Sequence, residues 1–96
     1  MDLSVNEIRP HMSRYVLIDV REPYELTGPE GQIEGSRSFP LGPGLETFLA
    51  EADPQKKYVF ICRSGVRSAH ATTLARNHGL SAYNMAGGML VWNEGS

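Results

Sequence analysis

The sequence predicts an α/β domain built on a mostly parallel sheet. Three observations predict it. Residues 15–18 (Tyr-Val-Leu-Ile) and 58–61 (Tyr-Val-Phe-Ile) are apolar, β-rich runs of the kind buried on both faces of a sheet. Residues 44–52 and 66–78 carry apolar side chains at helical spacing. Each apolar run stops on a chemically capable residue, Asp19 after the first and Cys62 after the second. Ligands of open α/β sheets sit beyond the carboxyl ends of the strands, so a site is expected there.

The elements follow in order. Ser4-Val5-Asn6-Glu7 has capping-box spacing, which predicts a short helix ending near Pro10. The strand over 15–18 comes next, then one helical turn over 23–26. Residues 27–35 hold three glycines and one proline and read as loop. A short strand over 36–39 is closed by Pro40. Leu45, Phe48, Leu49 and Ala52 give the helix over 44–52 an apolar stripe, and Asp53-Pro54 ends it. After the strand over 58–61, the helix over 66–78 has Ala69, Leu74 and Ala75 as inward candidates and Gly79 as its C-terminal cap. A strand over 82–85, the turn Gly87-Gly88 and a last helix over 89–94 complete the chain, with Trp92 read as core.

Composition narrows the function classes. Ninety-six residues predict one domain, 1–96. A chain of this length buries somewhat more than ~60% of its unfolded surface and folds without staples. Nine basic and eleven acidic residues leave a net charge of −2. That balance argues against nucleic acid and membrane surfaces as partners, so any anion site is local. One cysteine makes neither an internal disulfide nor a Cys-rich metal site, and a free thiol fits a reducing compartment. The segment MDLSVNEIRP lacks the pattern of a signal peptide, and no apolar run approaches the ~20 residues of a membrane span. A cytoplasmic protein is expected, as a monomer or a homodimer.

The segment Cys62-Arg63-Ser64-Gly65-Val66-Arg67-Ser68 carries the chemistry. A free thiol ionises near pH ~8.5, and the thiolate is its reactive form. The loop leads into a helix, so unpaired N–H groups are expected to converge on the sulfur and on a bound anion. Gly65 permits the positive φ of a tight cradle. Ser64 and Ser68 offer hydroxyl donors, and Arg63 and Arg67 offer positive charge. Lowering the ionisation by ~1.5 pH units needs about 2 kcal/mol, within reach of such donors.

Plainer readings compete at each position. A cysteine at a strand end is otherwise a small buried hydrophobe. Arg63 and Arg67 either serve an anion or pair with Glu22 or Glu25. Asp19 either supports the site or caps the following turn; Arg21 either supports it or pairs with Glu25. His11, His70 and His78 have no metal-ligand spacing with Cys62, and His70 is expected to face away from the loop.

Four segments resemble the rhodanese family and together span nearly the whole chain. Asp19-Val20-Arg21-Glu22-Pro23-Tyr24-Glu25 resembles its first signature. Gly31-Gln32-Ile33-Glu34-Gly35-Ser36 through Phe39-Pro40-Leu41 is similar to its second. Residues 62–68 resemble its active-site loop closely, and Met85-Ala86-Gly87-Gly88-Met89-Leu90-Val91-Trp92 resembles its closing segment. The family often has His and Pro where this chain has Gln32 and Glu34, a difference expected to bear on donor or partner choice, not on catalysis.

The resemblance implies a five-stranded, mostly parallel sheet flanked by helices on both faces. It implies thiosulfate sulfurtransferase chemistry as well, in which Cys62 takes a sulfane sulfur from thiosulfate or a persulfide donor and passes it to cyanide or a thiol. Residues 63–68 would bind the small anionic donor, with Arg67, and Arg63 beside it, on the sulfonate end. That chemistry needs no metal or organic cofactor. Two other readings stand beside it. A phosphatase or arsenate reductase needs arginine six positions after the cysteine, where this chain has Ser68. A docking module, or a persulfide relay to a sulfur-accepting protein, would use the same fold with another acceptor.

Overall fold

The strand Lys57–Ile61 lies at the centre of a five-stranded sheet and ends one residue short of Cys62. It is β4 of a chain that runs β1 (Asp2–Leu3), α1 (Val5–Ile8), a 3-10 segment (Arg9–Arg14), β2 (Val16–Asp19), α2 (Pro23–Leu26), β3 (Arg37–Ser38), α3 (Pro43–Glu51), β4, α4 (Val66–Asn77), β5 (Ser81–Met85) and α5 (Gly88–Glu94). The computed structural model describes residues 1–94, so the last two residues of the domain expected over 1–96 lie outside the described residues. The sheet order is β1-β5-β4-β2-β3, and each neighbouring pair is parallel.

Side-chain alternation in β4 divides the interior in two. Tyr58 and Phe60 face one core, with Ile18, Val20, Leu45, Leu49, Ala71 and Ala75; Cys62 continues that row. Val59 and Ile61 face the other, with Val5, Ile8, Leu17, Met85 and Met89. Helices α3 and α4 thus cover one face of the sheet, and α1 and α5 the other. Residues 59–61 are fully buried because both faces of this central strand are covered. Each such side chain contributes about 1.5–3 kcal/mol of burial, which anchors the strand whose tip carries the thiol.

Local chemistry sets the helix starts. The capping box at α1 is formed: Glu7 N donates to Ser4 Oγ at 3.1 Å, and Ser4 N donates to Glu7 Oε1 at 3.0 Å. Pro43 occupies the first turn of α3, where its missing N–H costs nothing, so that helix starts one residue before the predicted bound.

Two expectations need correction, and one element was not foreseen. Of the inward candidates on α4, Ala75 is fully buried and Leu74, half-buried, packs against the core that holds Phe60, but Ala69 is exposed; Ser68, Ala71 and Thr72 complete the inward face. The face is set by Ser68, drawn inward to the sulfur, and small side chains let the helix lie close on the sheet. The first helix ends at Ile8, and the chain continues as the 3-10 segment past Pro10, with His11 breaking helical geometry. The two-residue β1, paired through Asp2 and Leu3 with Asn84 and Met85, carries no apolar run and gave the sequence reading no signal.

Candidate active site

The first residue after β4 places the sulfur. Cys62 is 1% exposed, and its Sγ accepts from Gly65 N at 3.1 Å, Ser68 Oγ at 3.2 Å and Ser68 N at 3.4 Å. The loop closes on the sulfur because Gly65, capping α4, adopts φ +100°, a left-handed conformation that other residues resist. A side chain there would also press on Gly87 N at 3.2 Å. Burial pushes the Cys62 thiol up, but the Ser68 hydroxyl and the amides of Ser68, Gly65 and Ser64 outweigh it, and the thiol ionises below its ordinary value.

The opposite side of the loop is held by α5. Met89 N donates to Cys62 O at 2.9 Å, and Leu90 N donates to Arg63 O at 3.1 Å. This leaves no room for a side chain at residue 88: a Cβ on Gly88 would lie 2.4 Å from Arg63 O and 2.5 Å from Cys62 O. The expected turn at Gly87-Gly88 is therefore also a clamp on the cysteine loop. Trp92, half-buried, packs against the second core with the Arg9 guanidinium 4.2 Å above its ring.

Both loop arginines meet carboxylates. Arg67 makes two bonds to Glu25, Nη1 to Oε2 and Nη2 to Oε1, each 2.7 Å. Arg63 Nε lies 3.6 Å from Glu30 Oε1, with the arginine exposed and the glutamate half-buried. Hydrogen bonding from Arg67 lowers the Glu25 carboxyl to about 2, and Glu25 in return holds Arg67 above its ordinary range. Glu25 Oε2 also accepts from Glu22 N at 2.8 Å, closing α2. The pairing of Arg67 with Glu25 weighed in the sequence is thus present, and the anion-binding face of its guanidinium already carries a carboxylate.

Asp19 and Arg21 form a buried pair, with Arg21 Nη2 to Asp19 Oδ2 at 2.8 Å and Arg21 Nε to Oδ1 at 3.0 Å. Arg21 is 0% exposed. It also donates to the main-chain oxygens of Gly31 at 2.7 Å and Glu25 at 3.4 Å. Asp19 further accepts from Arg21 N at 3.1 Å, so it caps the turn after β2 as well. A line of contacts runs from Asp19 through Arg21 to the backbone of Glu25, and from the Glu25 carboxylate to Arg67. Ser64 is exposed, and Val66 is 75% exposed at the head of α4. His70 is on the exposed side of α4, and Gln32 and Glu34 are exposed on their loop.

Sequence reasoning missed one residue at the sulfur's second neighbour. Asn84 of β5 is 5% exposed; its Oδ1 accepts from Ser68 Oγ at 2.6 Å, and its Nδ2 donates to Gly65 O at 3.2 Å. The signal available was a polar residue between Tyr83 and Met85 near the carboxyl end of a strand.

A parallel α/β sheet thus presents one cradled cysteine from the tip of its central strand, with main-chain and hydroxyl donors turned toward its sulfur. The chain belongs to the rhodanese-like domain family, whose model matches residues 4–95. It is 40% identical over 76 residues to the putative sulfurtransferase YtwF of Bacillus subtilis, covering 79% of this chain and 71% of that one. Among solved structures, it matches a rhodanese-related protein of Thermoplasma volcanium with TM-score 0.82 and 30% identity, over 99% of this chain and 92% of the other. The human single-domain sulfurtransferase TSTD1 matches with TM-score 0.82 and 28% identity, over 99% and 96%.

Proposed function

We propose that the protein is a sulfurtransferase working through a persulfide on Cys62. The observation that carries this reading is the buried sulfur with three donors aimed at it from Gly65 and Ser68. The family and the sulfurtransferase names of its relatives support sulfur transfer as the chemistry.

In the first half-reaction the Cys62 thiolate attacks the sulfane sulfur of a donor. A new S–S bond forms, and the old one breaks with its electron pair leaving on the departing group, sulfite when the donor is thiosulfate. In the second, cyanide or a thiol takes the outer sulfur, and the electron pair of the enzyme's S–S bond returns to Cys62. Two half-reactions through a covalent intermediate give double-displacement kinetics. The N–H groups of Gly65 and Ser68 stabilise negative charge on sulfur as an oxyanion hole does on oxygen. Arg67, with Arg63 at the rim, attracts the anionic end of the donor, while Asp19 and Arg21 support α2, which carries Glu25. Ser68 stands where a phosphate-binding loop would need arginine, and it is fully buried against the sulfur, which favours sulfur over phosphoryl chemistry.

Exposed apolar surface favours a protein acceptor as a second reading. Val66, at the head of α4, is 75% exposed, and Tyr24 of α2 is 76% exposed. A persulfide handed directly to a partner's thiol would use this rim.

Intact mass after incubation with thiosulfate, and separately with a small-molecule persulfide, tests the proposal. The expected result is a gain of one sulfur atom that cyanide reverses and that Cys62→Ser, with its fold intact, does not show. No gain from either donor, or an equal gain in Cys62→Ser, overturns it.

A further inference from the structure

The Ser68 hydroxyl faces two acceptors with one proton to give. Cys62 Sγ is 3.2 Å away and Asn84 Oδ1 is 2.6 Å away. A serine hydroxyl donates once and accepts through its lone pairs. The oxygen partner lies at the short end of the O–H···O range, so it is the stronger competitor while the sulfur is neutral. Asn84 cannot turn aside, because its Nδ2 is tied to Gly65 O at 3.2 Å, which leaves Oδ1 facing Ser68. Ser68 and Asn84 are both buried, so the contest takes place away from bulk water.

We propose that Asn84 is a positioning residue that acts on Cys62 through Ser68: its carboxamide holds the Ser68 proton while Cys62 is a thiol and releases it when the sulfur carries charge. In the thiol, S–H donates to Ser68 Oγ, and Ser68 Oγ–H donates to Asn84. On ionisation the sulfur's proton leaves to solvent base, and the hydroxyl rotates, exchanging its bond to Asn84 for one to the thiolate. No other proton is transferred. When a second sulfur is attached, the negative charge moves one bond outward and the hydroxyl returns to Asn84. Asn84 thereby sets the cost of forming the thiolate and favours the loaded enzyme relative to it.

Arg67 of α4 is held by Glu25 of α2. Arg63 in the loop pairs with Glu30, and Asp19 and Arg21 on the β2 side pair with each other.

The inference rests on Cys62 as the reactive sulfur but needs no sulfur donor for its test, so it fails or stands separately from the persulfide proposal. The pH dependence of Cys62 alkylation is measured in the wild type, Asn84→Leu, Ser68→Ala and the double variant. Ser68→Ala is expected to raise the midpoint. Asn84→Leu is expected to lower it by about half to one pH unit, since the freed hydroxyl turns to sulfur. The Asn84 effect is expected to vanish in the Ser68→Ala background. An Asn84 effect that persists without Ser68 assigns it to the Gly65 tether and overturns the proposal, as does no shift at all. Asn84→Ser, whose shorter side chain draws its oxygen back from Ser68, enters the same cycle with the same expected direction should the leucine variant fold poorly.

Discussion

Arg67 cannot give the same two nitrogens to Glu25 and to a donor's sulfonate. On the proposed function, the pair of 2.7 Å hydrogen bonds to Glu25 is expected to tune the charge preference of the site. Glu25→Gln weakens that competition, and the KM for thiosulfate is expected to fall several-fold while that for an uncharged donor stays put. Arg67→Ala is expected to raise the thiosulfate KM selectively. Equal effects on both donors would make the pair purely structural. The same carboxylate has a pH signature. Its folded value is lowered from 4.5 to about 2, so its stabilisation is complete above 4.5 and fades as the pH falls toward 2. Arg67 is partly exposed, which holds the contribution to about 1 kcal/mol. Acid unfolding curves of Glu25→Gln and the wild type should thus converge near pH 2 and separate above 4.5; parallel curves would contradict the assignment. The sequence alone marks both the arginine and the glutamate as candidates. What one sequence leaves open is which carboxylate wins, because that depends on where the buried Asp19–Arg21 pair fixes the backbone of α2.

Gly88 joins two elements that sequence reading left separate. The buried strand runs and the helix over 66–78 were legible because a central strand is apolar throughout and a helix start needs its own punctuation. The clamp by α5 was not, since two glycines before a helix read as a turn whatever they touch. β1 escaped for a related reason: two residues paired only at an edge need no apolar pattern. Asn84 escaped because its role comes from parallel pairing with β4 and the approach of α4, contacts between residues far apart in the chain. Gly88→Ala tests the clamp. The new Cβ would meet two carbonyl oxygens of the cysteine loop, at a φ of +61°. A loss of about 1–3 kcal/mol in denaturant unfolding is expected, together with slower alkylation of Cys62. Unchanged stability and reactivity would show that the approach of α5 does not hold the loop.

The whole molecule carries a net charge of −2, and both loop arginines are neutralised locally. Attraction of a dianionic donor is thus short-ranged, and the overall field opposes it. Added salt is expected to leave the second-order rate with thiosulfate flat or to raise it slightly; a steep fall would reveal a positive field that the charge distribution does not contain. What remains decisive at this scale is the balance at the sheet's tip. Folding buries the sulfur, which favours the thiol, and the same fold supplies the amides and hydroxyl that favour the thiolate. Titration of Cys62 in the intact chain, followed by thiolate absorbance and by alkylation rate, reads that balance directly. A midpoint clearly below the ~8.5 of free cysteine is predicted; a midpoint at or above that value would mean that burial prevails and would contradict the account.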